Sequence, residues 1–471
     1  MQSIINRQVF LILTALLKLG TSQSVSCTLR PAYPAPVLSN GWSGQLIYDD
    51  LDGPRGIVFD TSGNLLVVEQ GEGIVHISLN DGGTTCLNVA NKRDVIDNDS
   101  LNHGIALSVD GRTLYASSSD AVYSWAYDPA TGTVSGANQT LVTGMQNGGH
   151  TTRTLMMSQK YPGMLVVSRG SDGNIDIAAT TLEYGHSQIR AFNVSNLTST
   201  SPPYDFTTQG RRLGWGLRNS VGIAEEPTSG GIYSVENSAD NMRRNGVEIR
   251  ENNPGEELNF HGSLNETAEG DNYGYPNCFA LWNPEIPDVG TLTVGSQFAL
   301  EQNSTVNDAF CNEERVAPRL TFQAHTAPLD IVFQPNGSEA YVSFHGSWNR
   351  DDPSGYTISS IPFSKGSPTA PANSSNSSRV IMANPENSRC PNACFRPVGL
   401  ALDGAGRIFF TSDSTGELWV MAKTSGDTPT PSTTTSGTAS PSATRENKGV
   451  RAVSIGLWMY GLIMVGLALV L

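Results

Sequence analysis

Residues 55–68 read Arg-Gly-Ile-Val-Phe-Asp-Thr-Ser-Gly-Asn-Leu-Leu-Val-Val, a short apolar segment, a turn containing glycine, and a second apolar segment. Short runs rich in Val, Ile and Phe that are separated by turn residues are typical of β-strands. The same pattern, a polar residue followed by two such segments, occurs six times in the chain. The five further copies occupy residues 103–115, 150–167, 219–235, 328–343 and 397–410.

Each copy has room for about four strands, which form one sheet. A single sheet of this size cannot bury both of its faces alone, so repeated sheets pack against one another in a closed ring. The repeat therefore predicts an all-β fold, a six-bladed β-propeller, in which the first strand of each blade lines a central channel. The residues just before these strands are predicted to share one mouth: Arg55, Asn102, His103, His150, Arg218, Asn219, His325 and Arg396.

These predicted mouth residues are basic or carry amides. Their recurrence at one position of the repeat indicates a site for an anionic ligand. For any single residue among them, the alternative is a surface charge or a buried, hydrogen-bonded histidine. The longest spacing between copies, residues 240–320, predicts an insertion that covers part of the mouth or its rim.

The composition excludes several classes of protein. The chain has 471 residues and a formal net charge of -15, which argues against nucleic-acid binding because that function needs clustered Lys and Arg. With 48 Gly, 26 Pro and only 15% charged residues, the chain is unlike a helical bundle. We expect many short strands and turns.

The two ends of the chain have the composition of targeting signals. Residues 1–24 contain Arg7, then an apolar run, then small polar residues, the order of a secretory signal peptide; the alternative is a buried first helix. Residues 445–471 end in an apolar tail behind a polar spacer, which predicts a glycosylphosphatidylinositol (GPI) anchor signal; the alternative is a retained single span. Residues 423–444 are rich in Ser, Thr and Pro and predict a glycosylated stalk. The folded domain is predicted to span residues 25–422, on the cell surface.

Cysteines and glycosylation motifs agree with export. Six cysteines in an oxidising compartment favour three disulfides over a metal site. Fifteen connectivities are possible, and proximity favours Cys278 with Cys311 and Cys390 with Cys394, which leaves Cys27 for Cys86. Nine Asn-X-Ser/Thr motifs occur, at Asn98, Asn138, Asn193, Asn196, Asn265, Asn303, Asn336, Asn373 and Asn376.

Five motifs carry a resemblance to a known family. In chain order they are Gly-Leu-Arg-Asn (216–219), Glu-Asn-Ser-Ala-Asp (236–240), Pro-Gly-Glu-Glu-Leu-Asn (254–259), Asn-Tyr-Gly-Tyr-Pro (272–276) and His-Gly-Ser-Trp-Asn-Arg (345–350). Over residues 40–420 the chain resembles the soluble glucose and sorbosone dehydrogenases that depend on pyrroloquinoline quinone (PQQ), with the fungal pyranose dehydrogenase branch as the closest match.

The resemblance implies two catalytic residues and a cation. His150 corresponds to the general base that takes the proton of the sugar hydroxyl, and Arg218 to the arginine that stabilises negative charge on the quinone. A Ca²⁺ ion is implied beneath PQQ, with the main-chain carbonyls of Ser238 and Ala239 as its protein ligands.

The resemblance and the repeat together also predict contacts to the cofactor. Arginines suit the PQQ carboxylates because a guanidinium binds a carboxylate through two parallel hydrogen bonds. For Trp348 the alternative is a core residue between blades, and for His345 it is a structural role in its loop. The predicted cofactor-binding residues are Arg55, Asn219, His345, Trp348, Arg350 and Arg396.

The sequence thus predicts an extracellular quinoprotein that oxidises a pyranose or a 2-keto-aldose. Its partner is expected to be a separate electron acceptor, a cytochrome-like protein or a small redox molecule, because the chain has no Cys-x-x-Cys-His haem motif. Two alternatives remain at this stage. One is a calcium-dependent lactonase propeller, and the other is a non-catalytic binding propeller on the cell surface.

Overall fold

The computed structural model of the protein describes residues 25–424. The predicted secretory signal, the anchor signal and all of the stalk beyond residue 424 lie outside these residues, so those interpretations remain predictions. None of the helices in the described part is long and apolar enough to cross a membrane.

Six sheets, each built on four main strands, confirm the predicted propeller. Within each of the first three blades the chain runs from the inner to the outer strand, and the four main strands are antiparallel to their neighbours. Blade 1 comprises Pro54–Phe59, Leu65–Glu69, Gly73–Asp81 and Leu87–Asp97. Blade 2 comprises Leu101–Leu107, Thr113–Ser118, Val122–Asp128 and Thr133–Thr143, with Tyr204–Asp205 added at its outer edge. Blade 3 comprises Leu155–Met157, Met164–Arg169, Gln188–Asn193 and Arg211–Trp215.

Blades 4 and 5 follow the same order from inner to outer strand, and blade 6 differs only in its outermost strand. Blade 4 comprises Ser220–Glu225, Gly231–Glu236, Glu256–Ser263 and Leu320–Phe322. Blade 5 comprises Pro328–Phe333, Glu339–Phe344, Thr357–Ser364 and Arg379–Ala383, with the short strands Val37–Leu38 and Ser367–Pro368 at its edges. Blade 6 comprises Pro397–Leu402, Ile408–Ser412, Glu417–Lys423 and Trp42–Tyr48.

Blade 6 closes the ring because it takes strands from both ends of the domain. Trp42–Tyr48 pairs antiparallel with Glu417–Lys423, so the first long strand of the chain is the outermost strand of the last blade. The inner strands of successive blades contact one another around the whole ring, from blade 1 to blade 6 and back to blade 1. The repeat alone did not predict this exchange.

Both faces of a blade are buried, which explains why its strands are apolar at consecutive positions. Leu65 and Val67 pack against blade 6, whereas Leu66 and Val68 pack against blade 2. In the same way Phe409 faces blade 1 and Phe410 faces blade 5. Side chains alternate between the two faces of a strand, so each sheet contributes to two cores. Six such cores fill the six junctions between blades.

The inner strand of blade 3 begins later than the repeat predicts. The matching segment starts at residue 150, but the strand covers only Leu155–Met157. Arg153 is the reason, because its fully buried guanidinium donates to the carbonyl oxygens of His150, Thr152 and Met145. These side-chain bonds take the place of strand pairing, and residues 150–154 form a hydrogen-bonded loop at the mouth.

The insertion predicted at residues 240–320 lies inside blade 4, in the two connections that flank its third strand, Glu256–Ser263. It holds the hairpin Arg243–Arg244 with Val247–Glu248, the hairpin Cys278–Ala280 with Gln297–Ala299, and the α-helix Asp308–Glu314. Short 3₁₀ helices lie elsewhere at Ile177–Thr180, Leu182–Tyr184, Val194–Asn196 and Asn387–Arg389.

All three predicted disulfides are present, the two favoured by proximity and the remaining pair. Cys278–Cys311 ties the helix of the insertion to its second hairpin, and Cys390–Cys394 closes a short loop before blade 6. Cys27–Cys86 joins the N-terminal arm to a turn of blade 1. None of the nine glycosylation motifs has a buried asparagine, which agrees with glycans at these positions without showing them.

The central channel narrows where the inner strands touch. We call this level the waist, and each of the six blades contributes one residue to it. At Gly222 an added Cβ would lie 2.7 Å from Cα of Asp330, and at Gly56, Gly104 and Gly399 it would collide with the neighbouring backbone. Beyond the waist lies a cavity of about 250 Å³ that is lined mainly by apolar side chains. The residues of the waist are Gly56, Gly104, Thr154, Gly222, Asp330 and Gly399.

Candidate active site

One end of the channel gathers the residues that precede the inner strands or occupy their first three positions. Because neighbouring strands in a blade are antiparallel, the residues that follow each second strand reach the same end. We call this end the mouth. Its main ionisable side chains, all buried or half-buried, are Arg55, His103, His150, Arg218, Asp240, His325, His345, Arg396 and Asp413.

Asp240 is the centre of one charged network at the mouth. Its carboxylate accepts hydrogen bonds from Arg218 Nη2 at 3.0 Å and Asn349 Nδ2 at 2.7 Å, and its Oδ1 lies 3.4 Å from His325 Nδ1. Burial alone would raise the pKa of Asp240, but His325 and Arg218 lower it below its ordinary value. Burial alone would lower the pKa of His325, but Asp240 and Glu256 raise it.

Asp413 is the centre of a second network. It accepts hydrogen bonds from Arg55 Nη1 at 2.5 Å and His345 Nε2 at 2.9 Å. Arg396 lies close by and donates to the carbonyl oxygens of His345 at 3.3 Å and Gly346 at 3.1 Å. Burial alone would raise the pKa of Asp413, but His345, Arg55 and Arg396 hold it far below its ordinary value.

His150 is a neutral imidazole at the mouth. Burial and the neighbouring Arg218 lower its pKa to about 3, so it is uncharged over the usual working range of an enzyme. Its Nδ1 lies 2.9 Å from the hydroxyl oxygen of Ser171. A Cβ on Gly170 would lie 2.7 Å from both His150 Cβ and Asn219 Oδ1, so only glycine fits there and Asn219 lies beside the imidazole.

Four buried polar atoms of the mouth have no hydrogen-bond partner among the described residues. They are Arg55 Nε, Asn102 Oδ1, His103 Nδ1 and Asn349 Oδ1. A buried donor or acceptor that stays unpaired costs about 1 to 3 kcal/mol. The mouth therefore offers unused hydrogen-bonding groups to a polar ligand.

The loop between Glu236 and Asp240 is held by buried carboxylates. Glu256 accepts hydrogen bonds from the backbone N–H of Ser238 at 2.7 Å and of Ala327 at 3.2 Å. No hydrogen bond of the described residues ends on the carbonyl oxygens of Ser238 or Ala239. These two oxygens are free acceptors beside the mouth. Within residues 25–424, no group of three or more His, Cys, Asp or Glu side chains has the arrangement to hold a metal ion.

The three predicted site residues of the loop 345–350 lie in three different environments. Trp348 is 63% exposed, so the alternative of a core tryptophan between blades is wrong. The side chain of His345 bonds Asp413 while its carbonyl accepts from Arg396, so it lies at the mouth and also supports the loop. The guanidinium of Arg350 is paired with Glu251, 3.2 Å away, and points into the insertion rather than toward Asp240 or Asp413. A cofactor contact by Arg350 remains a prediction.

Sequence reasoning missed the two carboxylates. The mouth was expected to carry basic and amide groups, whereas the structure adds Asp240 and Asp413 to the three arginines Arg55, Arg218 and Arg396. The sequence did contain a signal for these carboxylates, because both follow the second strand of a blade. Asp413 directly follows Ile408–Ser412, and Asp240 follows Gly231–Glu236 by four residues.

A family model described as TrAA12-like matches residues 36–424, nearly all of the described part. The chain belongs to the TrAA12-like family. This membership confirms the resemblance drawn from the five motifs, and the family spans the six blades without leaving one out.

Two named relatives are fungal proteins. The chain is 49% identical to a "Pyrroloquinoline quinone-dependent sugar dehydrogenase" of Hypocrea jecorina, over 84% of this chain and 92% of the relative. It is 40% identical to a "Pyrroloquinoline quinone-dependent pyranose dehydrogenase" of Coprinopsis cinerea over 84% of this chain, but it spans only 56% of that relative's length. Among solved structures, the "Calcium structure of Trichoderma reesei Carbohydrate-Active Enzymes Family AA12" has a TM-score of 0.82 and 50% identity, covering 84% of this chain and 99% of that one.

Proposed function

We propose that this chain is a PQQ-dependent sugar dehydrogenase, an extracellular quinoprotein that oxidises a pyranose or a 2-keto-aldose. The observation that carries the proposal is the pairing of a neutral His150 with Arg218 at the mouth of a TrAA12-like propeller. The names of the relatives from Hypocrea jecorina and Coprinopsis cinerea support the same cofactor and substrate class.

The mouth fits a cofactor with several carboxylates. Three arginines face two carboxylates there, so the arginines exceed their protein partners, and Arg55 keeps its Nε unpaired. A surplus of guanidinium donors is the feature that binds carboxylates strongly. Arg55, Arg396 and Asn219 would hold PQQ, with His345 and the exposed ring of Trp348 at the edge of the same site.

The loop at residues 236–240 fits a calcium ion. Ca²⁺ prefers oxygen ligands, and main-chain carbonyls serve as well as carboxylates. The free carbonyl oxygens of Ser238 and Ala239 are such ligands, and Glu256 fixes the peptide that carries them. The Trichoderma reesei relative is described as a calcium structure, which supports calcium as the ion.

When bound, PQQ would supply a hydride acceptor for the sugar, and Ca²⁺ would supply a Lewis acid. The protein provides the proton acceptor and a fixed positive charge. Nε2 of His150 takes the proton of the sugar hydroxyl, which a neutral imidazole can do and an imidazolium cannot. The Arg218 guanidinium stabilises the negative charge that develops nearby, and it is already oriented by Asp240 and by Asn174 Oδ1, 3.0 Å from Nη2.

The proposal extends to the partner and the location of the protein. Electrons pass to a separate acceptor, either a cytochrome-like protein or a small redox molecule. The protein is secreted and held at the cell surface by a GPI anchor, as the composition of residues 1–24 and 445–471 predicts.

Turnover by the full chain tests the proposal. The protein is loaded with PQQ and Ca²⁺ and assayed with a panel of aldoses, 2-keto-aldoses and lactones, using an artificial electron acceptor. We expect sugar-dependent reduction of the acceptor and loss of at least a hundredfold in kcat for His150→Ala, with PQQ still bound. Lactone hydrolysis without sugar oxidation would favour the lactonase alternative, and no activity with any substrate would favour the binding propeller.

A further inference from the structure

The loop 171–176 touches both proposed catalytic residues. Ser171 contacts His150, and Asn174 accepts a hydrogen bond from Arg218 through its backbone oxygen at 3.2 Å. The loop itself is fixed, because the N–H of Ser171 donates to the carbonyl of Arg218 at 2.8 Å and Tyr275 Oη donates to the carbonyl of Asn174 at 3.1 Å. Tyr275 belongs to the Asn-Tyr-Gly-Tyr-Pro motif. No residue of this motif has a role in the proposed reaction.

The proton positions at Ser171 follow from its partners. The Ser171 hydroxyl has one hydrogen, and its Oγ lies 2.7 Å from the carbonyl oxygen of Gly173, which can only accept. The hydrogen therefore points at Gly173, and only lone pairs of Oγ face Nδ1 of His150, 2.9 Å away. The Ser171 carbonyl oxygen, 3.2 Å from the same nitrogen, is a second acceptor.

Two acceptors at Nδ1 require a hydrogen on that nitrogen. A neutral imidazole carries one N–H, so Nε2 must be the bare nitrogen with a free lone pair. Among the described residues, Nε2 of His150 makes no hydrogen bond. It is also not one of the buried polar atoms that lack a partner. The lone pair is thus available at the mouth.

We infer that Ser171 is the positioning residue that fixes the tautomer of His150, so that Nε2 is always the nitrogen that accepts the substrate proton. This inference rests on the proposed function for the identity of the proton donor, but the tautomer itself is a property of the protein alone. Without the Ser171 hydroxyl, the imidazole is held only by the weaker carbonyl contact and populates both tautomers.

Blade 4 offers a matched control. Ser234 Oγ lies 2.8 Å from Nε2 of His261, and both residues are buried. This is the same type of serine–histidine hydrogen bond, but it lies between blades and touches none of the mouth residues. Ser234→Ala therefore removes an equivalent bond without affecting His150.

The direct test is nuclear magnetic resonance of the ¹⁵N-histidine-labelled full chain without cofactor, which has only seven histidines. His150→Gln assigns the signals. We expect a single Nδ1–H tautomer for His150 in the wild-type protein and a mixture of tautomers in Ser171→Ala. An Nε2–H tautomer in the wild type, or an unchanged spectrum in Ser171→Ala, would overturn the inference.

Kinetics of the loaded protein give the second readout. Ser171→Ala is expected to lower kcat roughly five- to tenfold, the equivalent of one hydrogen bond, with KM changed less than twofold. Ser234→Ala is expected to leave kcat unchanged even where its unfolding midpoint falls. An equal loss of kcat in Ser171→Ala and Ser234→Ala would mean that Ser171 has only a structural role, which would contradict the inference. Absence of turnover in the wild type would overturn the proposed function, while the spectra would still decide the tautomer.

Discussion

The two ends of the central channel are built from the same six inner strands, yet their chemistry differs. At the mouth, two half-buried carboxylates lie among three arginines and four histidines. Beyond the waist, the cavity of about 250 Å³ is lined mainly by apolar side chains such as Ile57, Ile105, Leu155 and Phe333. The strand interiors thus build the ring, whereas the residues at one set of strand ends build the site.

Asp413 at the mouth and Asp330 at the waist show this difference most clearly. Asp413 has the cations Arg55 and Arg396 around it, and its pKa is lowered. Asp330 is equally enclosed but accepts only backbone N–H groups, from Ile331 at 2.8 Å and Leu400 at 2.7 Å. Burial raises its pKa to about 7 despite these bonds. Loops can bring cations from several blades to one carboxylate, while packed strands offer only peptide groups.

The largest effect is expected for Arg218→Met at the mouth. Loss of the guanidinium removes the positive charge beside His150, and we expect kcat to fall about 100- to 1000-fold. Arg212 is a suitable control, because it forms an ion pair with Glu269, 3.6 Å away, on the outer strand of blade 3. Steady-state kinetics should show Arg212→Met within twofold of the wild type. An equal loss of kcat in Arg218→Met and Arg212→Met would contradict a special role for the arginine at the mouth.

A large effect on stability is expected for Asp413→Asn. The change leaves Arg55 and Arg396 buried without their carboxylate, which should lower the free energy of unfolding by about 3 to 5 kcal/mol at pH 7. The folded-state pKa of Asp413 lies below its unfolded value of 3.8, so this contribution is complete above pH 4 and decreases as the pH falls further. Urea unfolding of both proteins at several pH values measures this contribution. A stability difference between wild type and variant that increased below pH 4 would contradict the lowered pKa of Asp413.

Asp330→Asn should show the opposite dependence on pH. The folded-state pKa of about 7 lies above the unfolded value of 3.8, so the wild-type protein loses stability as the pH rises between these values. The variant cannot ionise and should gain about 2 to 4 kcal/mol relative to the wild type between pH 4 and pH 8. The same urea series tests this prediction. Turnover of the variant should stay within twofold, since Asp330 lies at the waist and contacts no mouth residue.

The smallest effect is expected for Gln159→Ala at the far opening of the channel. Gln159 lines the cavity but is exposed, so its loss should change the free energy of unfolding by less than about 0.5 kcal/mol. PQQ affinity and kcat should match those of the wild type. A marked loss of cofactor binding in Gln159→Ala would mean that the ligand enters the channel from this side.

The sequence predicted the blades because the relevant signals are local. The segments at residues 55–68 and 397–410 show the strand pattern directly, and proximity sufficed for the disulfides Cys278–Cys311 and Cys390–Cys394. The basic residues of the mouth followed from one position of the repeat. Their order in the chain therefore carried enough information to place Arg55, His150 and Arg218 at one end.

The remaining features depend on contacts between distant parts of the chain. Arg55 and Asp413 are 358 residues apart, and the strand Trp42–Tyr48 joins blade 6 only because the ring closes. No local pattern marks Asp240 as the partner of Arg218, since the residue lies in an irregular loop. The buried Arg153 that shortens the inner strand of blade 3 replaces backbone pairing in a way that a repeat cannot show.

The central claim is that the mouth binds PQQ together with Ca²⁺. The most direct measurement is an absorbance titration of the full chain with PQQ, with and without Ca²⁺, on the wild type, Arg55→Gln and Gln159→Ala. We predict saturable, calcium-dependent binding that is weakened about tenfold or more by Arg55→Gln and unchanged by Gln159→Ala. Absence of binding in the wild type, or equal affinity in all three proteins, would contradict the claim.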